Sequence, residues 1–381
     1  MAVNDNLITL VIHTEERAVK LKQILESHDI KVVLEDVSLP GVPLGAPVKK
    51  VRISIDSLSL GLKILESGDL TASPLSIFKL TGMGKTLLVP VDFSPSSMTS
   101  VKVAFFLARK FDVEPVILHS YLAPLFNPSD PYSDSVDPYS DSIAPPEDLD
   151  ITEAADFRKV AASQLSKFKK KIESAQREGS IPDMRFSTTL LEGIPEQVIK
   201  EYCVQNHPVL VVMATRGIHK KESDLVGSVT AEVIDSCRVP VFAVPENYVP
   251  GGIDKFRNIL MFCNFTNADI VTVRGLMKTF DFPACEVHLA PVSDGPVSGA
   301  GRKLEELRDY FSDIYPTATF HAVRMSRSGF DNNMKTVLDE RRIDLIIVPN
   351  KKSSAFSRFF RPTLAHRILF EKDIPLLVLP V

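Results

Sequence analysis

Tryptophan is absent and cysteine is scarce: the 381-residue chain holds no Trp and 4 Cys. Cys203, Cys237, Cys263 and Cys285 are scattered, with no CxxC pair and no histidine at metal-ligand spacing. That excludes a zinc ribbon and a disulfide framework, and predicts reduced, mostly buried thiols in a cytoplasmic protein. Long apolar runs are also missing. None approaches the roughly 18 residues of a membrane span, and no basic region followed by an apolar stretch marks a signal peptide. Positive charge is in short supply, with 44 Lys and Arg against 48 Asp and Glu and a net charge of -4. A nucleic-acid binder built on phosphate contacts is therefore not expected. No Ser/His/Asp set, catalytic carboxylate pair or P-loop lysine can be assembled from neighbouring motifs, so catalysis is not expected either.

What the chain does have is alternation of strands and helices. Its length allows two or three domains, each able to bury a core. Residues 1–82 read as strand Ile8–Ile12, helix Glu15–His28, strand Ile30–Leu34, strand Lys50–Ile55 and helix Ser57–Glu66, with a short strand Ile77–Leu80 to close the sheet. This order predicts a small ferredoxin-like α+β domain. Gly82-Met-Gly-Lys-Thr86 has a P-loop ending, but Lys79 stands where that motif needs its first glycine, and Thr86 opens a strand rather than a helix. An interdomain hinge is the better reading.

Residues 83–247 read as a second domain, with five strands at Thr86–Val91, Pro115–His119, Phe186–Leu191, Val209–Met213 and Val239–Val244. The intervening helices (Ser97–Lys110, Ala155–Arg177, Pro195–Gln205, Val229–Ser236) predict a doubly wound, Rossmann-like parallel sheet with right-handed crossovers. After Pro250-Gly-Gly252 the pattern recurs over residues 255–381. Arg257–Thr266 aligns with Lys85–Ser94, Asp344–Asn350 with the fourth strand and Ile374–Pro380 with the fifth, so a tandem repeat is expected.

The stretch Val209–Ser228 carries the most specific signal. An apolar run breaks at Ala214, Thr215 and Gly217, and Gly227-Ser228 then opens a helix. Glycines let backbone come close, and the first N–H groups of a helix are unpaired, which suits an anion. The spacing Ala214-x2-Gly217-x9-Gly227-Ser228 resembles the Gly-x2-Gly-x9-Gly-Ser signature of the universal stress protein family, with Ala214 in place of its first glycine. The resemblance spans Lys85–Val381 and implies two tandem domains of the adenine nucleotide alpha hydrolase-like type.

It also implies a ligand, ATP or another adenine nucleotide, in the first repeat only, which magnesium could accompany. Its site would combine Pro90, Val91, Asp92 and Ser94 after the first strand with Ser120 after the second. Met213, Ala214, Arg216 and Gly217 after the fourth, and Gly227, Ser228 and Val229 at the helix, would complete it. In the second repeat Pro349, Lys352 and Pro362 take the first three signature positions, with Thr363 at the fourth, so no phosphate loop is expected there. The family's fifth strands commonly pair, which predicts an internal pseudo-dimer through Val239–Val244 and Ile374–Val378. The implied role is a cytoplasmic stress-response module, not a metabolic enzyme; slow ATP hydrolysis ranks last.

The competing expectation is a nucleotide-free scaffold that recruits a protein partner through the N-terminal domain or the Phe359/Phe360 surface. The basic cluster Lys351, Lys352, Arg358 and Arg361 reads as a solvated rim. The duplicated Asp-Pro-Tyr-Ser-Asp-Ser segments at 130–135 and 137–142 read as a mobile insertion. His119, His207, His219 and His366 read as bystanders.

Overall fold

The computed structural model describes residues 7–36, 48–67, 84–122, 155–215, 228–249, 255–263, 273–277, 280–282, 284–291, 300–323, 330–350 and 373–380. Outside these lie the strand expected at 77–80, the insertion at 127–150 and the basic-aromatic cluster at 351–361. Two compact units divide the chain. One comprises residues 1–82, 253–359 and 379–381, the other 83–252 and 360–378.

In the first of these, alternating apolar positions build strand β1 (Leu7–Thr14), helix α1 (Glu15–Glu26), strands β2 (Val32–Asp36) and β3 (Val48–Ser54), and helix α2 (Leu58–Ser67). The strands form an antiparallel sheet in the order β1-β3-β2. Ala18, Leu21 and Leu25 of α1 and Leu58, Leu62 and Leu65 of α2 are buried against it. The second strand starts two residues later than expected. Asp29 turns left-handed (φ 61), so that Ile30 donates its N–H back to Leu25 and caps α1 instead of entering the sheet.

The other unit holds β4 (Thr86–Pro90), α3 (Pro95–Phe111), β5 (Glu114–Tyr121), α4 (Ala155–Arg177), β6 (Ser187–Glu192), α5 (Pro195–Asn206), β7 (Leu210–Ala214), α6 (Ser228–Ser236) and β8 (Val241–Val244). Its strands lie in the order β8-β7-β4-β5-β6, each parallel to its neighbour. Leu87, Leu88, Val89, Val211 and Val212 are fully buried, because helices cover both faces of these central strands. Pro95 and Pro195 sit in the first turns of α3 and α5, where a missing N–H costs nothing. The helix expected from Ser97 therefore starts two residues earlier, capped by the Ser94 hydroxyl. Gly84 lies against α5's end, where a Cβ would overlap the His207 carbonyl oxygen.

The first unit continues with β9 (Asn258–Cys263), β10 (Cys285–Pro291), α7 (Ala300–Ile314), β11 (Ala318–Ala322), α8 (Phe330–Glu340) and β12 (Leu345–Asn350). The order is β11-β10-β9-β12, again all parallel. Helix α2 packs on α7, and Lys63 pairs with Asp313 at 2.6 Å. Strand β13 (Leu376–Pro380) runs antiparallel to β8, with Leu376 opposite Ala243 and Val378 opposite Val241. All four cysteines are free and buried. No helix among the described residues is long and apolar enough to cross a membrane.

Candidate functional site

In the unit built on residues 83–252 the chain enters at β4 in the middle of the sheet, builds outward through β5 and β6, and returns to the other side at β7. The strand order therefore reverses between β4 and β7, and ligands of doubly wound sheets bind outside the carboxyl ends of strands at such a reversal. Strands β4 and β7 pair at Leu87↔Leu210 and Leu88↔Val211. Each runs on beyond that pairing, to Pro90 and Ala214 respectively.

After β4 the backbone makes a tight turn. Phe93 is left-handed at φ 64, and the Asp92 carboxylate oxygen Oδ1 accepts both the Ser94 N–H at 3.1 Å and the Ser97 hydroxyl at 2.6 Å. Ser97 Oγ in turn accepts the Asp92 N–H at 3.0 Å, while Ser94 Oγ accepts the Ser97 N–H at 3.1 Å. The helix cap is thus Ser94, and Asp92 braces the turn before it.

Beside this turn stands β5. His119 Nδ1 lies 2.8 Å from the Val91 carbonyl, which only accepts, so Nδ1 carries the proton and Nε2 is the acceptor. Burial lowers the His119 pKa, against the opposing effects of the Val91 carbonyl and the Asp92 charge, and so disfavours the charged ring. The Phe93 ring lies over it at 4.2 Å between centroids, tilted by 38°, and Phe168 of α4 backs Phe93 at 5.5 Å. His119 is therefore part of an aromatic wall at the switch point. A local signal was available in the Asp-Phe-Ser run, since an Asp that accepts from the residue two ahead tolerates an unusual φ between them. Ser120 and Tyr121 continue β5 past this wall, half-buried.

On the other side of the reversal, Met213 is buried and Ala214 half-buried at the tip of β7. The Ala214 carbonyl accepts the Thr230 hydroxyl at 2.9 Å, and Thr215 donates its N–H to Val244 at 2.9 Å. Thr230 is 4% exposed and belongs to the first turn of α6. This bond brings Ser228 and Val229, which open α6, to the end of β7. Pro90 thus ends β4, with Val91, Asp92 and Ser94 just after it, Ser120 lies near the end of β5, Met213 and Ala214 end β7, and Ser228 and Val229 open α6, whereas Arg216, Gly217 and Gly227 lie outside the described residues. Among the described residues no His, Cys, Asp or Glu group could hold a metal ion. Two surface hollows lie elsewhere: about 420 Å³ lined by Met98, Lys102, Lys170 and Ser174, and about 470 Å³ lined by Arg308, His321 and Arg341.

A sheet reversal whose two strand ends are tied to helix openings of this kind has relatives. Residues 83–245 match the Universal stress protein family. The chain is similar in structure to a universal stress protein from Archaeoglobus fulgidus DSM 4304 at 17% identity. That alignment covers 78% of this chain and 97% of that one, with a TM-score of 0.54. A structure from Pseudomonas aeruginosa UCBPP-PA14 described as a putative universal stress protein aligns at 11% identity, covering 78% and 93%, TM-score 0.46. A universal stress protein in complex with cAMP aligns at 19% identity over 42% of this chain and 97% of that one, TM-score 0.30. At these identities only the Archaeoglobus match bears on the argument, and it speaks to the fold. The α/β, parallel-rich fold of this chain is therefore similar to that of the Archaeoglobus structure. No curated protein matches the chain.

Proposed function

We propose that the universal stress protein domain binds ATP or a related adenine nucleotide and acts as a cytoplasmic stress-response module. In this reading the nucleotide alters contacts and is not consumed as a substrate. The observation that carries the reading is the 2.9 Å bond between Thr230 and Ala214. It holds the opening turn of α6 at the switch point, where unpaired N–H groups and the positive end of the helix favour phosphate. Gly217, Gly227, Ser228 and Val229 would hold that phosphate, with Arg216 adding charge and magnesium accompanying it. The base would lie against Phe93 and His119, and Asp92 would contribute by bracing the turn beneath it.

Strands β9–β12 have the arrangement of β4–β7, which supports a tandem repeat whose second copy, with Pro349, Lys352 and Pro362 in the signature positions, has lost the loop. The antiparallel pairing of β8 with β13 supports an internal pseudo-dimer. The three-stranded order β1-β3-β2 supports a ferredoxin-like N-terminal domain at 1–82, ahead of repeats at 83–247 and 255–381.

The competing reading, a nucleotide-free scaffold with a protein partner, is favoured by one observation. The Asp92 Oδ1, Ser94 and Ser97 oxygens already bond to one another within their turn. Mass spectrometry of small molecules released from the purified protein separates the two readings. An adenine nucleotide should be recovered, and ATP should raise the melting temperature. Gly227→Asp, which puts a carboxylate where phosphate would sit, should abolish that rise. Recovery of none together with no thermal shift establishes the scaffold; an undiminished shift in Gly227→Asp puts the nucleotide somewhere else.

A further inference from the structure

The hollow of about 420 Å³ is lined by both α3 and α4. Met98 and Lys102, one turn apart, line it from α3, and Lys170, Lys171 and Ala175 line it from α4. Phe168, Ile172 and Ala175 belong to the buried stripe of α4. Helical spacing therefore turns Lys167, Lys170 and Lys171 outward, and all three are exposed, while Lys102 is half-buried.

These four ammonium groups are uncompensated. Among the described residues none of them makes a hydrogen bond or an ion pair, whereas Lys20, Lys49 and Lys63 each reach a carboxylate. Glu178, the one acid on the lining, pairs with none of them. Lys167 stands three and four residues before Lys170 and Lys171, a spacing at which like charges weaken a helix. The whole chain is acidic at -4, so this patch runs against the overall balance.

The lining also indicates the kind of anion. The free cations are Lys, flexible point charges, and not the rigid Arg forks that suit phosphate recognition. The serine hydroxyls are already engaged. Ser174 Oγ accepts from Arg177 at 2.9 Å, and Ser180 Oγ donates to the Ala175 carbonyl at 3.0 Å. Met98 places an apolar, adaptable side chain among the charges. Carboxylates spaced around an apolar residue would use both parts of this surface; a phosphate would use only the cations. We propose that the α3–α4 hollow docks an acidic segment of a partner protein. Its carboxylates meet Lys102, Lys170 and Lys171, and an apolar side chain lies on Met98. Such a contact is steered by charge and weakens with salt.

The test titrates the full-length protein, without added nucleotide, into a dye-labelled peptide of Asp and Glu around one central Leu, read by fluorescence anisotropy. Binding should saturate at low ionic strength and fall as salt is raised. Reversing two charges, in Lys170→Glu combined with Lys171→Glu, should weaken it by about tenfold or more, whereas Lys170→Arg combined with Lys171→Arg should keep it. Met98→Ser should lower the affinity several-fold. Exchanging the peptide's Leu for Ser should do the same in the wild type and nothing further in Met98→Ser. Far-UV circular dichroism checks the fold of each variant; if the double reversal fails to fold, Lys102→Gln carries the charge test. Four outcomes would each overturn the proposal. One is no saturable binding, and another is binding that survives charge reversal. A third is equal affinity for an oligothymidine of the same length, which would make the patch a nucleic-acid surface. The fourth is a carbodiimide crosslink, in the protein alone, from Lys170 or Lys171 to an Asp or Glu of residues 127–150. That stretch holds seven acids and no Lys or Arg, and such a link would assign the hollow to the chain itself.

Discussion

Thr230 donates its hydroxyl proton to the Ala214 carbonyl at 2.9 Å, tying the first turn of α6 to the tip of β7. The donor is almost wholly buried, at 4% exposure. Replacing it by the isosteric valine keeps the volume and removes the bond. Thr230→Val should lower unfolding stability by about 1–2 kcal/mol, the net worth of a buried hydrogen bond plus the cost of an orphaned acceptor. Thr230→Ser should keep most of that stability. Urea denaturation of the three proteins checks it, and equal midpoints for valine and wild type would show that the bond contributes nothing.

Gly84 belongs to a stretch whose Gly-Lys-Thr ending imitates a phosphate loop, yet its surroundings explain the residue without a ligand. A Cβ there would overlap the His207 carbonyl and crowd the Val209 N–H, both of them backbone and unable to swing aside. Gly84→Ala should therefore cost about 1–3 kcal/mol through overpacking. Denaturant titration gives the number. A melting temperature unchanged from wild type would mean that the α5–β7 corner yields more easily than backbone should.

His288 on β10 is fully buried, and neither ring nitrogen has a hydrogen-bond partner. Its ring stacks on His321 of β11 at 4.9 Å, with Glu286 also on that face. Burial is the main cause that lowers its pKa from 6.5 to about 4, with His321 and Arg341 adding repulsion and Glu286 opposing. The unfolded chain binds a proton near pH 6.5, the folded one only near pH 4. Protonation therefore favours unfolding, and stability should fall as pH drops through that interval and level off below it. The shift is worth at most about 3 kcal/mol. His288→Leu should remove this share of the pH dependence and be neutral or stabilising at pH 5. Stability curves from pH 7 to 4 for both proteins decide it; parallel curves would assign the slope to other groups.

Much of this architecture was readable before any coordinates. Leu87–Val89 and Val211–Val212 are unbroken apolar runs because both faces of the strand are covered, and that condition leaves a mark in one dimension. Element openings were legible at Pro195 but not everywhere: Pro95 set the true start of α3 two residues before the expected one, and Asp29 delayed β2 by diverting Ile30 into a cap. Contacts across the sheet left no mark at all. His288 and His321 meet because of strand register, and their contact does not follow from spacing along the chain. The site was legible in part. Asp92, Ala214 and Val229 stand at the strand and helix ends that the motif implied, but the left-handed Phe93 and its contact with His119 emerged only from the turn's geometry.

Residues 376–378 lie along β8, taking up the hydrogen-bonding groups on that side of the strand. An uncovered strand offers those groups as a template onto which any other chain can zip. The protein's own tail thus seals the rail, and a newcomer could add there only by evicting it. Trimming the chain before residue 373 would uncover β8, and the shortened molecule should self-associate or aggregate where the full-length one does not.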